Sequence, residues 1–447
     1  MSYNQTVREL FERNKAFTDK TVEAGIERNR KGDGKITVTD KQGVPISGAK
    51  VKLVHKKHEF RFGANLLMLD EFESEEKSAI YRECFADLFN IATLPFYWNT
   101  LEPERGKPRY AKDSPKVYRR PPIDLCMEYC EERGIEPREH ALAYDQHFPT
   151  WLSGCSTEEV KRELCRRYSE ISERYAHRIP TIEVTNEMGW GKGKTDFYDE
   201  PDYVEWCFKT AEKYFPNNEL AINEGSDTVW LDVCRPTAKY YAYTEAAMLK
   251  GARIDAIGLQ YHIFKEKGAD AALRLLDLEN LYRHMDLYAN LGKPLQITEI
   301  TIPSYSWEKE DEEIQAEIIE KLYSLWFSHP SVEQIIYWNV VDGYAHLWDP
   351  DPVKIAASRG NMAMGENIFH GGLLRFDMTP KPAYHMIKEL TQKRWHTECE
   401  LLTDADGRCD FRGFFGEYDA EIEIGGAKSK QAVSLSKNGS NEFILSI

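Results

Sequence analysis

Between residues 60 and 392, short apolar and β-branched runs alternate with longer stretches whose apolar positions recur every three or four residues. Runs that bury both faces, separated by helical patterns, predict repeated β-α units around a parallel sheet. Eight such runs occur, at 60–66, 90–96, 139–144, 181–185, 220–223, 256–261, 295–300 and 335–341. Eight parallel strands close a (β/α)8 TIM barrel, so residues 60–392 are expected to form a catalytic barrel of the α/β class. The longest irregular stretch within it, 349–372, contains Gly360, Gly365, Gly371 and Gly372 and reads equally as a lid or a plain surface loop.

The two ends of the chain follow other periods. Residues 1–34 are charged and helix-prone, with Val7, Leu10 and Phe11 on one stripe, and close on a turn signal at Lys31-Gly-Asp-Gly34. Residues 35–59 alternate with period two on either side of Gly43-Val-Pro, which predicts a β-hairpin. Alternation returns over 397–447, through Tyr418, Ala420, Ile422 and Ile424. The expected product is a small β-rich accessory domain formed by the N- and C-terminal segments.

Composition narrows the ligand. Hydrophobic residues make up 42% of the 447 and charged residues 30%, and no apolar run approaches the roughly 20 residues of a membrane span. The net charge of −16 opposes a phosphate backbone or an anionic bilayer, so neither nucleic acid nor membrane is an expected partner. A neutral polymer meets no such repulsion, and 10 Trp, 24 Tyr and 20 Phe supply flat faces for sugar rings. The expected partner is a carbohydrate; no oligomeric state is read. Nine Cys without a Cys-x-x-Cys pair, and an opening that lacks a basic-then-apolar leader, point to reduced thiols and a cytoplasmic setting. Cys126 and Cys130 lie four apart on a predicted helix and read as packing, so neither a metal nor another cofactor is expected.

Reacting groups of such barrels stand at the carboxyl ends of the strands. There the sequence places Asn99 after the second run, His140, Tyr144 and His147 at the third, and Asn186-Glu187 at the fourth. Gln260 and His262 close the sixth, Glu299 the seventh, and Trp338 followed by Trp348 the eighth. Glu187 and Glu299 would face one another across the mouth. Paired carboxylates are what glycoside cleavage needs, one as proton donor and one as nucleophile or base; repulsion and desolvation raise the acid's pKa while hydrogen bonds keep its partner ionised. His262 is placed to give such a bond to Glu299. Tyr144, Trp151, Trp338 and Trp348 group at the same face, where sugar rings could stack.

These residues resemble glycoside hydrolase family 10, the retaining endo-β-1,4-xylanase family of (β/α)8 barrels. Ile182-Glu-Val-Thr-Asn-Glu187 is similar to its strand-four motif, Gln296-Ile-Thr-Glu-Ile300 to its strand-seven motif, and Gly258-Leu-Gln-Tyr-His262 to its Gln-x-His motif. Gly372-Leu-Leu-Arg-Phe-Asp377, followed by Lys381-Pro-Ala-Tyr384, matches its closing segment. The resemblance implies Glu187 as acid/base, Glu299 as nucleophile, and Asn186, His140, Gln260 and His262 as sugar-holding groups. Departures fall on substrate contacts. The strand-two Glu-Asn and Lys are absent, with Asn99 assigned to the Lys position; Tyr144 replaces a Trp, and His147 falls where the family has Gln. The resemblance thus implies a retaining β-glycosidase acting on xylan-type or related β-linked saccharide. Two rivals are a carbohydrate-binding or sensing barrel without turnover and a metal enzyme built on His140, His147 and His262.

Overall fold

A computed structural model describes residues 2–189, 191–348 and 351–447. Eight parallel strands close a barrel: β3 (Arg61–Asn65), β4 (Ile91–Pro95), β5 (Glu136–His140), β6 (Thr181–Asn186), β7 (Glu219–Glu224), β8 (Ala256–His262), β9 (Leu295–Thr301) and β10 (Val332–Tyr337). They run in sequence order, and β10 pairs with β3 to complete the ring. Every residue of β6, β8 and β9 is buried, as expected of strands packed inside against one another and outside against helices.

Two strands begin earlier than their apolar runs suggest, β5 at Glu136 and β10 at Val332. The cause is buried polar residues on these strands. Arg138 and Glu139 on β5 are buried, with Arg138 Nη1 2.5 Å from Glu183 Oε2, and Gln334 on β10 is buried as well. A strand whose buried positions carry charge does not read as apolar.

The terminal strands build a separate β-rich unit. β1 (Lys31–Thr39) lies between β12 (Arg408–Phe414) and β15 (Glu442–Ser446). β2 (Lys50–His58) lies between β11 (Glu398–Leu402) and β13 (Gly416–Ile424), with β14 (Ala427–Leu435) outermost. Ile36, Val38, Leu53, Ala420, Ile422 and Leu435 share a small core of their own.

The expected hairpin over 35–59 does not form, because β1 and β2 enter different sheets and the chain crosses between them after Asp40. Lys31 to Gly34 is strand rather than turn. A Cβ on Gly32 would come within 2.4 Å of the Phe415 ring and one on Gly34 within 2.5 Å of the Phe411 ring, so these glycines serve close packing.

Ahead of them stand two helices, α1 (Tyr3–Arg13), started by a Ser2 capping box, and α2 (Lys15–Asn29). Arg30, buried, donates to the carbonyls of His329 at 2.5 Å and Val332 at 2.6 Å, which fixes this end of the chain where β10 begins. The strands' carboxyl ends are left open on the far side. Of the 349–372 stretch, 349–350 lie outside the described residues; the rest holds a helix at Pro352–Ser358 and a 3-10 turn at Gly365–Phe369. All nine cysteines are free, and no helix among the described residues is long and apolar enough to cross a membrane.

Candidate active site

Glu299 is the fifth residue of β9 and is buried; Glu187 follows the last residue of β6 and is half-buried. Glu187 has φ of +53°, a left-handed backbone that costs a residue with a Cβ about 1–2 kcal/mol. Its amide donates to Asn223 O at 3.1 Å, which holds it in that posture.

One amide group ties the two carboxylates together. Gln260 Nε2 on β8 lies 3.0 Å from Glu187 Oε1 and 3.0 Å from Glu299 Oε1, so these oxygens are at most about 6 Å apart. That limit suits the ~5–5.5 Å spacing of a retaining carboxylate pair better than the ~6.5–9.5 Å of an inverting pair.

Each carboxylate has further partners. Glu299 accepts from Asn223 Nδ2 at 2.9 Å and lies 3.3 Å from His262 Nε2. Thr298 Oγ1 donates to Asn223 Oδ1 at 2.6 Å, so the Asn223 amide presents its N–H groups to Glu299 and to Asn186 Oδ1 at 2.9 Å. Glu187 accepts from the Tyr144 hydroxyl. Asn223 and Gly258 also approach closely: a Cβ on Gly258 would fall 2.5 Å from Asn223 Oδ1, so only glycine leaves that amide in place.

Behind the pair lies a buried charge chain. Arg138 and His140 bracket Glu183, with His140 Nδ1 2.7 Å from Glu183 Oε1 and Nε2 3.0 Å from the Tyr97 hydroxyl. Burial pushes Glu183 up, but His140 and Arg138 more than offset this and hold it below the usual carboxylate range. Burial likewise lowers His140, yet Glu183 outweighs it and leaves the imidazole above its ordinary value. At His262 burial outweighs the opposing pull of Glu366 and Glu187 and takes it down to about 4. A neutral His262 then donates from Nε2 to Glu299 while Nδ1 accepts from Thr301 Oγ1 at 2.9 Å.

Glu299 itself is raised well above the carboxylate range by burial, opposed by His140 and reinforced by Glu183 and Glu187. The strong upward push therefore acts on the residue expected from sequence to be the ionised partner. Its consequence for stability has a definite sign. A carboxyl raised on folding favours the folded state when protonated, and that advantage is lost as pH rises from the unfolded pKa through the folded one. Glu299→Gln is therefore expected to melt above wild type at pH 7, with the difference shrinking toward pH 4; thermal melts across that range check it, and a variant that melts lower at pH 7 counts against the burial argument.

A cavity of about 570 Å³ opens over this cluster. Glu187, Glu299, Asn186, His140, Tyr144, His147, Gln260, His262, Trp338 and Trp348 all line it. Trp338 is buried against Leu67 and Tyr97, whereas Trp348 is 66% exposed at the rim.

Asn99 is not in the lining. It sits in the helix Trp98–Leu101, and the residue of that segment whose ring enters the cavity is Tyr97. Trp151 is also absent from the lining: its indole donates to Glu102 O at 3.0 Å and packs edge-on against Trp98, so it belongs to the packing behind the wall. Sequence reasoning missed Arg119, Arg120, His346, Glu224 and Glu366, all in the lining. Glu224, at the end of β7, was legible by the strand-end rule; the others come from long connections with no motif around them.

His140, Glu183 and Glu299 each offer a ligand atom within 4.8 Å of the others, the one such group among the described residues. Arg138 already occupies Glu183 and places a positive charge beside the group, which disfavours a cation there. His147, which the metal alternative requires, is not among the three.

Comparison with known proteins gives the same outline. A family model described as Glycosyl hydrolase family 10 matches residues 62–390. Among curated relatives, anti-sigma-I factor RsgI6 of Acetivibrio thermocellus is 25% identical over 92% of this chain and 47% of its own length. Endo-1,4-beta-xylanase 1 of Arabidopsis thaliana is 24% identical over 89% of this chain and 37% of its own. The chain thus spans less than half the length of these relatives. Among solved structures, native xylanase 10B from Thermotoga maritima superposes with a TM-score of 0.58 at 24% identity, covering 75% of this chain and 96% of that one. A xylanase 10B from Thermotoga petrophila in complex with xylobiose gives 0.57 at 24% identity, covering 75% and 95%. At these identities the superpositions establish the shared fold.

Proposed function

Because this chain belongs to glycosyl hydrolase family 10, we propose that it is a retaining β-glycosidase that cleaves a xylan-type or related β-linked saccharide in two displacements. The observation that carries this reading is the shared Gln260 amide, which holds Glu187 and Glu299 close enough to act on one anomeric carbon.

In the first step Glu299 attacks the anomeric carbon as the carboxylate, the form its donors Asn223, Gln260 and His262 favour against burial, while Glu187 gives its proton to the glycosidic oxygen, and the leaving sugar departs as an alcohol. In the second, Glu187 takes a proton from water, whose oxygen attacks the same carbon and releases Glu299 as carboxylate. Positive charge develops at the ring in both steps, beside a carboxylate fixed by Asn223, Gln260 and His262. Asn186 lines the cavity with its Oδ1 accepting from Asn223 and Gln260, and its amide N–H groups suit a ring hydroxyl. Tyr97, Tyr144 and Trp338 supply the apolar walls.

A sensing barrel without turnover is the second reading, supported by the relative named as an anti-sigma factor. The presence of both carboxylates and their four supporting donors favours turnover, since binding alone does not call for a close ionisable pair. The test is hydrolysis of β-linked oligosaccharides, xylo-oligosaccharides among them, with the first product's anomer followed by NMR. Release of the β-anomer is expected; an α-anomer, or no cleavage of any of them, overturns the reading.

A further inference from the structure

Arg119 and Arg120 lie in the connection between β4 and the helix Ile123–Arg133, at the edge of the cavity nearest β3, β4 and β10. Both are more than nine-tenths buried. Arg120 stacks its guanidinium 3.7 Å from the centre of the Tyr97 ring and donates Nη1 to Arg119 O at 2.8 Å. Arg119 donates Nη1 to Asn339 Oδ1 at 2.9 Å and to Tyr344 O at 2.7 Å. The buried Nε of each has no hydrogen-bond partner, and neither arginine has an ion pair among the described residues.

Arg30, Arg109 and Arg167 are likewise buried on carbonyl partners without an ion pair among the described residues, so what distinguishes Arg119 and Arg120 is that they are adjacent and line this cavity. Arg138 is paired with Glu183, and Arg167 donates to the carbonyls of Phe96, Ala141 and Leu142. Glu366, in the same lining, acts on Arg120 through space and is linked to Arg119 by Asn339, whose Nδ2 donates to it at 3.0 Å. Beside the arginines stand His147 and His346, both driven down by burial and by these same cations, His346 to about 3. Arg120, lowered by burial to about 10, still carries its charge at neutral pH. Two adjacent buried cations with no carboxylate bonded directly to either are expensive, and a bound anion would offset that cost. Neutral hydroxyls need only donors and acceptors, which asparagine or glutamine supply without the expense.

We propose that this edge of the cavity binds a negatively charged sugar unit, through a uronate carboxylate or a sulfate ester, with Arg119 and Arg120 as its counter-ions. The inference rests on the glycosidase reading and names the class of saccharide it takes. The planar guanidinium of Arg120, held flat on Tyr97, suits a two-point contact with either group. Across the ring, beyond β7 and β8, the cavity wall is acidic or mixed, with Asp227 and Lys265 paired at 2.7 Å, so the preference is confined to one side of the carboxylate pair.

The test is calorimetric titration of the Glu299→Ala protein with three β-linked oligosaccharides of equal length: neutral, bearing one uronic acid, and bearing one sulfate. At least one acidic ligand is expected to bind about 10–100-fold more tightly than the neutral one. Adding Arg120→Met or Arg120→Gln should erase that advantage, and Arg120→Lys should restore part of it. The arm that wins identifies the anion. Neutral and acidic ligands bound alike, or an advantage that survives both neutral substitutions, would overturn the proposal. If the wild-type enzyme cleaves the neutral oligosaccharide while showing no acidic preference, this proposal fails and the glycosidase reading stands; if it cleaves none of the three, that reading fails too.

Discussion

Glu299→Ala is expected to lower turnover of an activated aryl β-glycoside by roughly 10⁴-fold or more, because no other group can form the covalent intermediate. Three donors converge on this carboxylate, from Asn223, Gln260 and His262, and each belongs to a rigid strand. On the proposed mechanism they hold this carboxylate in line with the anomeric carbon. The barrel itself should survive the substitution, since Glu299 contributes a buried charge and not apolar packing. Steady-state kinetics with a thermal melt as control checks both halves. Retention of full activity in a folded variant would remove Glu299 from the nucleophile's place.

Glu187→Ala is expected to divide substrates by leaving group. Natural oligosaccharides leave as poor alkoxides and need the proton, so their turnover should fall by about 10²–10⁴-fold. Aryl glycosides whose phenols are good leaving groups need no proton in the first step and should be spared at that step. Tyr144 and Gln260 both donate to Glu187 and hold its carboxyl in the cavity. An equal loss on both substrate classes would mean that Glu187 is not the acid.

Much of this site was readable as text because strand ends of a parallel barrel converge in space. Asn186-Glu187, Gln260-x-His262 and Glu299 lie within two residues of where β6, β8 and β9 finish, and the fold alone brings them together. Boundaries were less readable where strands bury polar residues, as with Arg138 and Glu139 on β5. The assignment of Asn99 failed because the short Trp98–Leu101 helix turns it away and leaves Tyr97 facing the ligand.

The arginine pair had no signal at all. Arg119 and Arg120 reach the cavity through a long connection whose path depends on the Tyr344 and Ala345 carbonyls, more than 220 residues away. The terminal strands show a related limit: alternation reports a half-buried strand but not its partner, and β1 and β2 pair with the opposite end of the chain instead of each other.

During turnover Glu299 is expected to become bonded to sugar. Inactivating the enzyme with a 2-deoxy-2-fluoro β-glycoside bearing a good leaving group should leave one sugar attached to the protein, and peptide mapping by mass spectrometry should find it on Glu299. Attachment to Glu183, Glu187 or any other carboxylate would contradict the account.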